Sequence, residues 1–176
     1  AGVDVMIVLD NVPWAFVNAS DEGPCQTYGC QYLPPDDPAE FAAWVGELAA
    51  YVADAFGSGF ASRVRWRLGT EANGPRWSDR GRLFDTYVEC YRLCAAAIRK
   101  AVPLAQIGAS NWVEVVGSSG NLTRNGSDNF QARFYDAVAA STATSHATTT
   151  ATTEEPSAPI PLDWVSVSHY GGGHGA

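Results

Sequence analysis

Glu71 follows closely on the run Val64-Arg65-Trp66-Arg67-Leu68 and is bracketed in sequence by Trp66 and Trp77. A carboxyl in partly apolar, aromatic surroundings keeps its proton to a higher pH than one in water. Such a group suits general acid and base work, and protonating the leaving oxygen of a glycosidic bond is one reaction that needs it. That reaction also takes a second carboxylate across the sugar ring. Aromatic rings stack on the apolar faces of sugars, which gives Trp14, Trp77, Trp112 and Tyr170 a natural use. A surface glutamate in a loop, with the aromatics filling a core, fits the same residues equally well. Residue chemistry alone leaves both readings open.

The elements that must position these groups alternate along the chain. Val5-Met6-Ile7-Val8-Leu9 is a wholly apolar run, as expected of a strand buried on both faces. Asp37-Pro38-Ala39-Glu40 then supplies an N-cap, a proline at the first helical position and a glutamate placed for a capping box. Phe41, Trp44, Val45, Leu48, Val52, Ala55 and Phe56 recur at helical spacing, and Gly57 is a suitable stop. Val64–Leu68 is the second strand. A second amphipathic helix is expected from about Asp79 to Ala101, ended by Pro103. Gln106–Asn111 reads as a third strand, Asn129–Ala140 as a third helix and Trp164–Ser168 as the last strand. The order βαβαβαβ, with right-handed crossovers, implies an α/β fold with a parallel sheet.

The candidate chemical residues all lie just after strands: Asp10, Asn11 and Trp14; Glu71 and Asn73; Asn111 and Trp112; His169 and Tyr170. An open doubly wound sheet gathers its site at one switch point, whereas a (β/α)8 TIM barrel draws on the carboxyl ends of many strands. Contributions from every strand favour part of a barrel. Alternation places Arg65, Arg67, Gly69 and Glu71 on one strand face, opposite Val64, Trp66 and Leu68. Arg67 then points into the barrel interior, where it needs an anionic partner. Its Cα lies roughly 13 Å from that of Glu71 along the strand, too far to act on it strongly. A bulge that resets the alternation would put Arg67 outside instead.

Bulk properties exclude several functions. The net charge of −8, with scattered basic residues, argues against nucleic acid as a partner. No apolar run is long enough to cross a bilayer. Three histidines, His146, His169 and His174, lack metal-ligand spacing, and no metal or other cofactor is expected. Of the four cysteines, Cys25 and Cys30 share a loop in which they can bridge. Cys90 and Cys94, one helical turn apart, read best as buried thiols. Sequons at Asn18, Asn121 and Asn125 tilt the reading toward a glycoprotein of the secretory pathway, extracellular or lysosome-like. The Ser/Thr-rich stretch from about 141 to 161 is expected to be a flexible insertion. Gly171-Gly172-Gly173-His174-Gly175-Ala176 satisfies a dinucleotide-fingerprint string but lacks the following helix that would support it.

Arg65-Trp66-Arg67-Leu68-Gly69-Thr70-Glu71-Ala72-Asn73-Gly74 resembles the fourth-strand signature of clan A glycoside hydrolases, in which a strand ends in Asn-Glu-Pro. The nearest likeness is to family 39, the β-xylosidase and α-L-iduronidase group. Its helix rich in Tyr and Ala, followed by Pro and a strand, is similar to Phe84–Gly108. Its sixth strand is similar to Leu162-Asp163-Trp164-Val165-Ser166-Val167-Ser168-His169-Tyr170. The resemblance covers nearly the whole chain apart from the Thr-rich stretch, from the third barrel strand to the sixth. It implies that residues 1–176 are a central piece of a catalytic barrel, inactive alone. It also implies O-glycosidic hydrolysis with retention, with Glu71 as acid/base and His169 lining the sugar site. Tyr170, Asn111 and Trp112 match by location at strand ends, while Asn73, Trp14 and Asp10 are further sugar-contact candidates. The family's Asn and Pro flanking the glutamate are Thr70 and Ala72 here, which brings the sugar contact of that Asn into question. No nucleophile is assigned, because the family's lies on a seventh strand; Glu114 and Glu154 are wrongly placed. A non-catalytic carbohydrate-binding barrel is the alternative that Thr70 and Ala72 favour. A nucleotide-binding domain rests on the terminal glycines only.

Overall fold

Parallel pairing joins the strands in the order in which they occur in the chain. The structure is a computed structural model and describes residues 4–10, 12–17, 34–72, 83–115, 128–147 and 159–170. β1 (Met6–Leu9), β2 (Arg65–Leu68) and β3 (Gln106–Gly108) form one sheet, with Val8, Arg67 and Gly108 in register. β4 (Trp112–Val115) pairs with β5 (Val167–Tyr170) in a second. Parallel bridges Thr70–Asn111 and Gly108–Trp164 tie the two together. The third extended stretch thus has β2 on one side and residues 164–170 on the other, and Ala109-Ser110-Asn111 interrupts it.

Local chemistry explains the helices. α1 (Pro38–Phe56) starts where the Asp37 carboxylate accepts the Ala39 and Glu40 N–H groups at 2.8 and 3.2 Å. It stops at Gly57, whose φ of +84° glycine adopts without cost. Asp37→Ala is expected to cost about 1 kcal/mol, as a lower denaturant midpoint with unchanged m-value. The short α2 (Ser58–Ala61) leads into β2, and α3 (Leu83–Ala101) and α4 (Asp128–Ala147) complete the helices.

α1 packs along α3. Together they cover one face of the first sheet, so that Phe41, Val45, Val52, Tyr91, Cys94 and Ile98 bury Trp66, Leu68 and Ile107. Burying each such side chain contributes about 1.5–3 kcal/mol before the ordering entropy is counted. The opposite face carries Met6 and Val8, 42% and 37% exposed, and exposed Arg65. There β1 and the start of β2 lie open among the described residues. α3 and α4 enclose an aromatic cluster in which Tyr87, Tyr91, Trp112, Phe130 and Phe134 meet with centroids 5.1–6.3 Å apart.

Three boundaries differ from expectation. The third strand breaks at residues 109–111, because those residues hold the turn after β2, as described below. The last strand is Val167–Tyr170 instead of Trp164–Ser168, because Asp163 N–H and Trp164 pair with β3 and the break at 109–111 delays the regular ladder until β4. The third helix is longer than Asn129–Ala140 and runs to Ala147, so the first seven residues of the expected flexible stretch are helical. Ser141 and Thr142 donate their hydroxyls to Val138 O at 2.7 and 3.1 Å, which removes their competition with the helix backbone. The far end is also fixed: Ile160 N–H donates to Ser141 Oγ at 2.9 Å and Tyr91 to Pro161 O at 2.6 Å. Cys90 and Cys94 are free and buried, and the Cys94 thiol is pushed well up by its hydrogen bond with Cys90 and by burial. Cys25, Cys30, the three sequons, the stretch 148–158 and the terminal glycines lie outside the described residues.

Candidate active site

Two left-handed residues follow β2. Gly69, at φ +89°, sits with Tyr87 and Ser110 around its Cα, and Glu71 has φ +52°. The left-handed region costs a non-glycine residue roughly 1–2 kcal/mol, and such outliers cluster at functional sites. Alternation therefore ends at Leu68, and the turn itself sets the face on which Glu71 lies.

The break in the third stretch is what holds this turn. Glu71 N–H donates to Asn111 O at 3.0 Å, with Asn111 Oδ1 at 3.3 Å. Ala72 N–H donates to Ser110 Oγ at 2.9 Å, and that hydroxyl donates to Asn111 O at 3.1 Å. Below them Ser110 N–H donates to Tyr87 Oη at 2.8 Å, and the Tyr87 hydroxyl donates to Leu68 O at 3.0 Å. Burial pushes the Tyr87 phenol far above its ordinary value, so it remains a donor at any working pH.

Arg67 lies beneath Glu71 on the strand face opposite the helices. Its Nη2 donates to Thr70 Oγ1 at 2.9 Å, and its buried Nε has no hydrogen-bond partner among the described residues. Burial lowers the proton affinity of its guanidinium, and the Asp10 and Glu71 carboxylates raise it. The anionic surroundings expected for Arg67 are therefore Asp10 and, despite the backbone separation, Glu71 itself. The Thr70 hydroxyl oxygen accepts from Arg67.

The structure brings Asp10, Arg67, Glu71 and Asn111 to one end of the sheet. Asp10 also lines a cavity of about 20 Å³, room for about one water molecule. It lies on the helix side, between the strand ends and α3, and is shared with Gly69, Tyr87 and Cys94. Asn111 is 6% exposed and serves the Glu71 backbone. Trp112 is fully buried: its Nε1 donates to Tyr135 at 2.9 Å, and its ring belongs to the aromatic cluster. It has no face open to a ligand. His169 and Tyr170 occupy β5 in register with Glu114 and Val115 of β4. Trp14 opens a short 3₁₀ turn, Trp14–Phe16. Asn73 and Trp77 lie outside the described residues. Among the described residues no group of three His, Cys, Asp or Glu side chains is arranged to hold a metal. Sequence reading did not single out Ser110 or Tyr87. One is a small polar residue in an apolar stretch, the other part of a helical stripe, and only their partners from distant segments give them meaning.

No protein-family model matches the chain. An alpha-1,4-L-rhamnosidase from Formosa agariphila is 28% identical over 109 residues, which takes in 58% of this chain and 22% of that protein. The match thus spans less than a quarter of its relative's length. The chain is similar, distantly and in part, to a glycoside hydrolase.

Proposed function

We propose that the chain is part of a glycoside hydrolase barrel in which Glu71 is the general acid/base of a retaining reaction. The observation that carries this reading is the strained Glu71 turn at the carboxyl end of a half-buried parallel strand, held by Ser110 and Asn111. The likeness to a rhamnosidase supports the reaction class. Strand pairing in chain order, helices on one face and an open opposite face agree with a barrel segment, since parallel sheets are normally covered on both faces.

In this reaction Glu71 gives its proton to the glycosidic oxygen as the anomeric C–O bond breaks and a carboxylate nucleophile bonds to the same carbon. Water then bonds to the anomeric carbon as its bond to the nucleophile carboxylate breaks, and Glu71 takes the proton of that water. None of these residues is assigned as the nucleophile, which is expected about 5–5.5 Å from Glu71 in a retaining enzyme.

The full-length protein should cleave an aryl glycoside from a panel that includes aryl α-L-rhamnosides and aryl β-xylosides. The first-formed sugar, read by proton NMR before mutarotation, should keep the anomeric configuration of the substrate. Inversion would end the double-displacement assignment. A carbohydrate-binding barrel without activity is the second reading, favoured by Thr70 and Ala72 where the resembled family has Asn and Pro. Saturable binding of the sugars with no turnover on any of them would select it. Modification of the three sequons would place the protein on the secretory route, and a mass shift on deglycosylation tests this.

A further inference from the structure

Ser110 and Tyr87 have more to do than close the core. The chain of hydrogen bonds from Leu68 C=O through Tyr87 Oη, Ser110 and the Ala72 N–H grips the backbone on both sides of Glu71. Asn111 holds the residue between. A turn that served only to end β2 would be satisfied by glycine at position 71, which takes φ +52° without strain. Instead a glutamate is kept there by buried polar groups. Ser110 is fully buried, and its hydroxyl proton is committed to Asn111 O, which leaves its lone pairs for the Ala72 N–H. Ala72 is also fully buried, so no solvent replaces that acceptor once it is lost.

We infer that Ser110, supported by Tyr87, is a positioning residue that fixes the left-handed turn and thereby the direction in which the Glu71 carboxyl points. This rests on the acid/base reading of Glu71. A general acid must lie within hydrogen-bond reach of the leaving oxygen. Leaving the left-handed region swings the Glu71 Cβ to another direction, and a displacement of about 1 Å is enough to cost roughly a hundredfold in rate.

The test compares Ser110→Ala and Tyr87→Phe with wild type in the full-length protein, on two aryl glycosides of one sugar. One leaving group, 2,4-dinitrophenolate, departs without a proton; the other, phenol, requires one. Ser110→Ala should lower kcat/KM on the phenyl glycoside about 10- to 100-fold while the dinitrophenyl glycoside stays within about threefold. Tyr87→Phe should show the same selectivity to a smaller degree. Equal losses on both substrates would mean a merely structural role and overturn the inference. Independently of activity, the Glu71 φ is read from backbone chemical shifts and scalar couplings. Departure from the left-handed region in either variant supports the inference, and an unchanged φ in both overturns it. Glu71→Gln separates the two ideas. If that variant lacks the leaving-group selectivity, the acid/base reading fails, while the φ measurement still judges the clamp.

Discussion

Glu71→Gln in the full-length protein is expected to lower kcat/KM on phenyl glycosides by about 10²–10⁴-fold, the usual contribution of general acid catalysis. Glutamine has the size of glutamate and retains hydrogen-bonding capacity, so the sugar still binds. What it lacks is a proton to give to the leaving oxygen. The backbone bonds to Asn111 and Ser110 come from main-chain N–H groups and survive the substitution, so the melting temperature should stay within a few degrees of wild type. Near-normal turnover would sink the assignment. Shortening the side chain instead, in Glu71→Ala, should let azide take the freed space and return a glycosyl azide with the anomeric configuration of the substrate. Glu71→Gly is informative in the other direction. It should equal or exceed wild type in stability, by up to about 1 kcal/mol, because glycine carries no left-handed penalty, while losing activity. That pairing would identify the strain at position 71 as retained for function.

The second large effect concerns Trp112. Trp112→Ala is expected to destabilise the protein by about 3–5 kcal/mol, the range for emptying a buried aromatic site. A loss of that size would lower the melting temperature by roughly 10 °C. The indole is fully buried, 5.4 Å from Phe134 and 6.3 Å from Tyr87 between ring centroids, and its Nε1 bonds to Tyr135. Had Trp112 been a sugar platform, its removal would raise KM and leave stability nearly untouched. Thermal denaturation beside KM measurements separates the two roles. Because Trp112 directly follows Asn111, collapse of this cluster should also loosen the grip on Glu71. Some loss of kcat is therefore expected to accompany the loss of stability.

Both sites show how local and non-local information divide in this chain. The α1 cap at Asp37, its stop at Gly57, the apolar alternation of β2 and the buried thiols on α3 are set by neighbours a few residues away. Their side-chain types and spacing were therefore enough to place them. The same holds for Glu71 as the residue with chemistry to offer, since its type and its position after an apolar strand are local facts. Other features depend on contacts that the fold makes and the local pattern does not show. The third strand breaks because Ser110 and Asn111 must accept N–H groups from residues 71 and 72. Trp112 is core because α4 returns over it, and Ser141 stays helical with Ile160 as a partner. Arg67 reaches the field of Glu71 through its long side chain, where backbone spacing alone set them apart. Sequence by itself determined that Glu71 stands just past the end of a strand. Only the tertiary structure decided that it stands there in a left-handed turn, because the hydrogen bonds that sustain that conformation come from another strand and another helix.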